Sequence, residues 1–256
     1  SAPPSLPPTM KIKSGRAAIS ALKRSCSERG SSRLKVSTIS MYVPAAERRP
    51  LATLIDGTAM RIGRERYLET SGTRGAGTLF VRDVTVTGDE VCLSFPAKSG
   101  KAARYCVRDA RLARAIAGVR SVPGKRLLMY RDAAGKPHNL RTEDINRYLR
   151  EVTGVAISAK DFRTFHASAR AGEALASLER AESEAGRKRQ VAGVVRQVAA
   201  FLQNTPAVCR SSYVAPCLLA LFEKGRLTEL WLGDSEEARG LRQREARLCA
   251  VLAAVP

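Results

Sequence analysis

The chain has 256 residues, of which 44 are Lys or Arg and 24 are Asp or Glu, giving a formal net charge of +20 and a pI near 10.4. At 44% hydrophobic it can bury a core, which excludes an intrinsically disordered class, and no apolar run approaches the roughly 18 residues of a membrane span. A field of this size draws polyanions, and nucleic acid is the commonest of them.

The N-terminal SAPPSLPPTM is Pro-rich and lacks the charged start and apolar stretch of a signal peptide, so residues 1–45 are expected to form a partly disordered extension. A helix is predicted over 15–28, broken at Gly30-Ser31-Ser32, and a second over 46–60, where apolar positions recur at helical spacing. The period then changes. GTLFVRD, DVTVTGDEVCLSF and AARYCVRD predict three short strands, with Val84/Val86, Val91/Leu93/Phe95 and Ala103/Tyr105/Val107 alternating with polar neighbours. Gly88-Asp89 and Lys98-Ser99-Gly100-Lys101 are the hairpin turns between them.

Helices dominate afterwards. ARLARAIAGV is one, and TEDINRYLREVTG is another, with Thr142 as N-cap, Ile145, Tyr148, Leu149 and Val152 on one face, and Gly154 closing it. A third starts at Ser158, with Asp161 completing a capping box. A fourth carries Val191, Val194, Val195, Val198 and Leu202 and stops before Thr205-Pro206, and a terminal helix begins near Asp234-Ser235. The layout is α+β, mostly α-helical, with one small three-stranded antiparallel sheet. Cys26, Cys92, Cys106, Cys209, Cys217 and Cys249 are dispersed without a Cys-x-x-Cys pair, and only His138 and His166 could join them. Such a set predicts reduced cytosolic thiols, mostly small core residues, and no metal site.

Cutting and resealing a phosphodiester calls for an in-line nucleophile, cationic partners for the equatorial oxygens and a proton for the leaving oxygen. Arginine's planar fork suits phosphate, lysine can donate a proton when other cations lower its pKa, and tyrosine supplies an oxygen nucleophile. Those residue types occur in RIGRERY, FPAKSGK, AKDFRTFHA and NTPAVCRSSY, as Arg61, Lys98, Lys160, Arg163, Asn204 and Tyr213. Arg163 lies in the first turn of the helix capped by Ser158, beside the positive end of its dipole, and Lys98 lies at a hairpin tip. Tyr213 follows a loop of small polar residues, and His166 reads as an ordinary helix residue.

In this order and spacing, from about Arg49 to about Lys224, the set resembles the catalytic pentad of the poxvirus-like and bacterial type IB DNA topoisomerases. Arg61-Ile62-Gly63 followed by Tyr67 matches the family's arginine-x-glycine segment. The general-acid lysine follows an aromatic-x-glycine pattern that here reads Phe95-Pro96-Ala97-Lys98; Lys98 is the better match and Lys101 the alternative. Lys160-Asp161-Phe162-Arg163-Thr164 fits the family's lysine-aspartate-hydrophobic-arginine-threonine string in full. Asn204 stands where viral relatives carry histidine and bacterial ones often asparagine, which points to the bacterial-type branch.

The resemblance implies a recombinase-like catalytic fold over residues 46–256 and a DNA-relaxing enzyme that works through a 3′-phosphotyrosyl bond at Tyr213. By the same resemblance Arg61 and Arg163 bind the scissile phosphate, Lys98 and Lys160 manage the proton, and Asn204 donates to a non-bridging oxygen. Gly63, Arg64, Arg66, Tyr67 and Lys101 would contact DNA. No cofactor or metal is implied; the implied partner is duplex DNA, with a monomeric enzyme in the cytoplasm on the nucleoid. Relatives usually carry a β-rich clamp domain first, and residues 1–45 do not read as one. The rivals are a tyrosine recombinase and a non-catalytic DNA-binding module. A recombinase normally has histidine three residues before its second arginine, where this chain has Lys160, and a Leu-Gly-His helix end where it has Leu202-Gln203-Asn204.

Overall fold

The computed structural model describes residues 54–55, 57–119, 124–132, 134–153, 156–233 and 243–255. The helix expected over 15–28 lies outside them, and of the one expected over 46–60 only Leu54, Ile55, Gly57 and Thr58 are described as helical. The chain divides into two compact units, with the boundary between Phe162 and Arg163.

In the unit that ends at Phe162, strands β1 (Val84–Thr87), β2 (Glu90–Pro96) and β3 (Ala102–Arg108) form an antiparallel sheet in that order. Side chains alternate across a strand, so Val84, Val91, Leu93, Phe95 and Ala103 share one face and are buried. Each large apolar side chain so buried stabilises the unit by about 1.5–3 kcal/mol. Helix α1 (Glu65–Ser71) precedes the sheet, and α2 (Ala110–Val119) follows it and packs on β2. Asp109 starts α2 by accepting from the N–H groups of Arg111 and Leu112 at 2.8 and 2.9 Å.

The GTLFVRD segment departs from the expected strand. It makes two 3₁₀ turns, Ala76–Thr78 and Val81–Asp83, because the Asp83 carboxylate accepts from the Phe80 N–H at 2.8 Å and closes a turn there. A hairpin of β4 (Met129–Arg131) and β5 (Pro137–Asn139) was not expected; strands of three residues are too short to show a period. Helix α3 (Thr142–Thr153) buries Ile145, Tyr148 and Leu149 as expected. Its first turn is closed by Asp144, whose carboxylate accepts from the Arg141 N–H at 3.0 Å, while the Thr142 hydroxyl is used elsewhere. Gly154 lies outside the described residues.

The cysteines depart most from expectation. Cys92 and Cys106 are paired directly across β2 and β3, with Cα atoms 4.2 Å apart, and form a disulfide. The strand period that turns Val91 and Leu93 inward turns both cysteines to the outer face, so they are neither core residues nor free thiols. Cys249 is also disulfide-bonded, whereas Cys209 and Cys217 are not in disulfides.

Helix α4 (Ala159–Ala176) crosses the unit boundary, and α5 (Glu184–Leu202), α6 (Pro206–Ser212), α7 (Pro216–Glu223), α8 (Leu227–Leu232) and α9 (Gln243–Ala254) follow in the second unit. The expected face of α5, Val191, Val194, Val195, Val198 and Leu202, is buried throughout. Ser183 caps its start by accepting from the Gly186 N–H at 3.0 Å. Close approach decides one residue of α4. A Cβ on Gly172 would lie 2.2 Å from Cζ3 of the buried Trp231, so only glycine lets the indole seat there. Helix α9 adds Leu248, Val251 and Leu252 to the core. It is tied to α4 by Arg244–Glu173 and by His166–Glu245, whose hydrogen bond is the main cause holding the Glu245 carboxyl below its usual range. Helices with small antiparallel sheets make the fold α+β and mostly α-helical, as expected.

Candidate active site

In the first unit, Arg61 sits in a segment outside helix and strand whose main chain is held from elsewhere in the unit. The Arg61 carbonyl accepts from Ala76 N–H at 2.8 Å and the Ile62 carbonyl from Gly77 N–H at 2.7 Å. Gly63 turns the chain with φ +77°, a value that favours glycine, and α1 begins two residues on. None of the seven residues of α1 is buried, so apolar packing does not anchor it. An ion pair does: Glu65 meets Arg126, whose side chain is buried and lies against the Phe80 ring. Gly72, in the left-handed region, ends the helix by donating to the Leu68 carbonyl at 2.9 Å.

This arrangement leaves Arg64, Arg66 and Tyr67 exposed. The Arg66 guanidinium lies over the Tyr67 ring, 4.6 Å from its centroid, and donates to the phenol oxygen at 2.7 Å. That hydrogen bond and charge lower the Tyr67 phenol pKa, and the charges of Arg64 and Lys98 lower it further. An exposed aromatic set among three cations suits stacking and phosphate contact at once.

Lys98 opens the 3₁₀ turn Lys98–Gly100 between β2 and β3 and is exposed, as is Lys101. The Ala97 N–H donates to the Lys101 carbonyl at 2.7 Å, which closes the turn. Ala97 has φ −111° and is buried, so the backbone at this position does not require the family's glycine. Lys160 is exposed in the first turn of α4. The Ser158–Asp161 capping box is present: Asp161 accepts from the Ser158 N–H at 2.8 Å and from its hydroxyl at 2.7 Å.

In the second unit, Arg163, Asn204 and Tyr213 are drawn to one place. Arg163 is 3% exposed, which sets it apart from a solvated helix arginine. It donates from Nη2 to the Leu202 carbonyl at the end of α5, at 2.9 Å, and its guanidinium carbon lies 5.3 Å from the Tyr213 ring centroid. Gln203 ends α5 in the left-handed region with φ 52°, and the Asn204 N–H turns back to the Ala199 carbonyl at 2.8 Å. Asn204 is thus held at the helix end, two residues beyond the carbonyl that Arg163 grips.

The expected loop before Tyr213 is instead helix α6. Thr205 accepts from the Val208 N–H at 3.4 Å and Pro206 occupies the first turn, a start that Thr-Pro favours, and Tyr213 is the C-cap. Ser168 on α4 was not anticipated. Its hydroxyl donates to the Tyr213 carbonyl at 3.1 Å and accepts from the Ala215 N–H at 3.0 Å, so α4 holds both the arginine and the tyrosine's main chain. The available signal was a serine on the buried face of an alanine-rich helix, five residues beyond Arg163. Cys209 on α6 is no rival nucleophile, because burial pushes its thiol up to about 11.

Arg163 and Tyr213 therefore lie together in one unit, and Arg61, Lys98 and Lys160 lie in the other. Among the described residues no cluster of three His, Cys, Asp or Glu could hold a metal, and no helix is long and apolar enough to cross a membrane.

Comparison with known proteins bears on what this arrangement serves. The chain is 30% identical over 171 residues to DNA topoisomerase 1B of Acanthamoeba polyphaga mimivirus. The match takes in 64% of this chain and 51% of the viral protein, so the chain spans about half the length of that curated relative. Two solved structures of the XerH site-specific recombinase bound to difH substrates are also similar. The post-cleavage complex has TM-score 0.43 and 14% identity over 82% of this chain and 51% of the recombinase, and the pre-cleavage complex 0.42 and 13% over 84% and 54%. The assignment rests on neither of these. It rests on the model of the eukaryotic DNA topoisomerase I catalytic core, which matches residues 40–216, more than half of the chain and every candidate catalytic residue; the chain belongs to that family.

Proposed function

We propose that this chain is the catalytic part of a type IB DNA topoisomerase, with residues 46–256 acting as the breaking and rejoining domain. Tyr213 gives up its phenol proton to solvent as its oxygen attacks the scissile phosphorus, a 3′-phosphotyrosyl bond replaces the bond to the 5′-oxygen, and that oxygen leaves with a proton from Lys98, Lys160 assisting. The nicked strand rotates, the freed 5′-hydroxyl attacks the phosphotyrosine, and the proton returns. Arg61, Arg163 and Asn204 neutralise or hydrogen-bond the oxygens on which charge develops. Gly63, Arg64, Arg66, Tyr67 and Lys101 contact the duplex. ATP is not consumed, because the phosphodiester's energy is conserved in the protein–DNA bond.

One observation carries this reading: a buried arginine that reaches the Tyr213 ring in a chain of this family. Asparagine at position 204 supports a bacterial-type enzyme, and a DNA substrate supports action as a monomer on the nucleoid, in the cytoplasm. The Cys92–Cys106 disulfide weighs against a reducing compartment. Incubation with supercoiled plasmid in EDTA without ATP is the test. Relaxation is expected, and its absence sinks the proposal in favour of a recombinase or a binding module.

The assignment of the general acid has its own test. A DNA substrate with a 5′-bridging sulfur needs no acid, because the thiolate leaves unaided. Lys98→Ala should cleave ordinary DNA poorly and the sulfur substrate well, and Lys101→Ala should need no rescue. The reverse pattern moves the role to Lys101.

A further inference from the structure

We propose that Thr142, on α3, is a positioning residue for Arg61, acting with the Gly75–Thr78 turn through the main chain. The inference rests on the topoisomerase reading above. Three successive carbonyls, those of Arg61, Ile62 and Gly63, are each held by a donor from elsewhere in the unit. The first two accept from Ala76 and Gly77, and the third accepts from the Thr142 hydroxyl at 3.1 Å, across 79 positions of sequence. The turn that supplies the first two donors is itself braced. Thr78, 3% exposed, accepts through Oγ1 from the Gly75 N–H at 2.9 Å.

The two strands of this grip touch backbone to backbone. A Cβ on Gly75 would lie 2.5 Å from the Arg61 carbonyl oxygen and 2.5 Å from the Gly63 nitrogen, with no flexible side chain to yield. From the other side, a Cβ on Gly63 would lie 2.4 Å from Thr78 Oγ1. Helix α3, seated in the core by Ile145, Tyr148 and Leu149, is the rigid member against which the grip is referenced. The point from which the Arg61 side chain springs is therefore set by residues that need touch neither DNA nor the reacting atoms. A transition-state donor displaced by about 1 Å can lose up to 10²-fold in rate, so losing one of the three anchors should be felt in chemistry.

Single-turnover cleavage of a suicide duplex, measured beside DNA affinity, tests this. Thr142→Val keeps the shape and removes the hydroxyl. It should lower the cleavage rate constant by about 10-fold with DNA affinity within about 2-fold, and Thr142→Ser should restore the rate. The double variant Thr142→Val/Arg61→Ala should cleave no more slowly than Arg61→Ala alone, because a positioning residue has nothing left to position. Gly75→Ala should lose more than Thr142→Val, and if it fails to fold the threonine pair still decides. Additive losses in the double variant, an equal fall in affinity, or a wild-type rate in Thr142→Val overturns the proposal. A wild-type chain that forms no adduct through Tyr213 overturns the topoisomerase reading, and this role with it; normal cleavage combined with an indifferent Thr142 overturns the role alone.

Discussion

Tyr213→Phe is expected to fold, bind duplex DNA with near-wild-type affinity and form no covalent adduct. Contacts to its ring and main chain help to seat Tyr213. Arg163 lies 5.3 Å from the ring centroid, and Ser168 holds the carbonyl of residue 213 and the N–H of Ala215. Phenylalanine retains all of these, since a cation meets its ring face as it does tyrosine's. The variant loses the oxygen that would join the phosphorus, and no other group supplies it; the buried Cys209 thiol stays protonated at neutral pH. Denaturing electrophoresis after incubation with nicked or supercoiled DNA is the measurement. Any adduct trapped by the variant removes Tyr213 from the role.

Arg163→Ala and Arg61→Ala should each cut the cleavage rate by roughly 10²-fold or more, by analogy with the loss of an oxyanion-hole donor. DNA affinity should fall far less, because many of the 44 basic residues share the phosphate contacts. The two variants should differ in stability. Arg163 is 3% exposed and donates to the Leu202 carbonyl, so its removal leaves a void and an acceptor without its donor at the end of α5. A cost of about 1–3 kcal/mol is expected there. Arg61 is half-buried and its main chain is held by Ala76, so Arg61→Ala should cost less stability than Arg163→Ala. Arg163→Lys separates the two effects for the buried arginine: it keeps the charge and loses the planar fork, so a rate that stays low at restored stability assigns the loss to phosphate geometry. Equal losses in rate and affinity for both arginines reduce them to ordinary binding residues.

Much of the fold was legible because its signals are local. Strand alternation in Val91, Leu93 and Phe95, the helical spacing of Val191 to Leu202 and the Ser158–Asp161 cap all act within a few residues, and each appears as read. The α6 helix was missed because seven residues carry too little period, although Thr205-Pro206 was its start signal. Thr142 was read as a cap from its place before an apolar face. Asp144 takes that work, and the threonine hydroxyl reaches Gly63.

The sequence by itself determined the chemistry on offer: which residue types occur, in which order, on a chain basic enough for nucleic acid. What it could not determine was their surroundings. Whether Arg163 is solvated or buried depends on where α5 ends, and whether two cysteines fourteen positions apart bond depends on strand register. Why a serine in an alanine-rich helix matters depends on where the chain returns 45 residues later. Local propensity is set by neighbours in the chain, whereas burial, pairing and grip are set by neighbours in space, and only the folded structure supplies those.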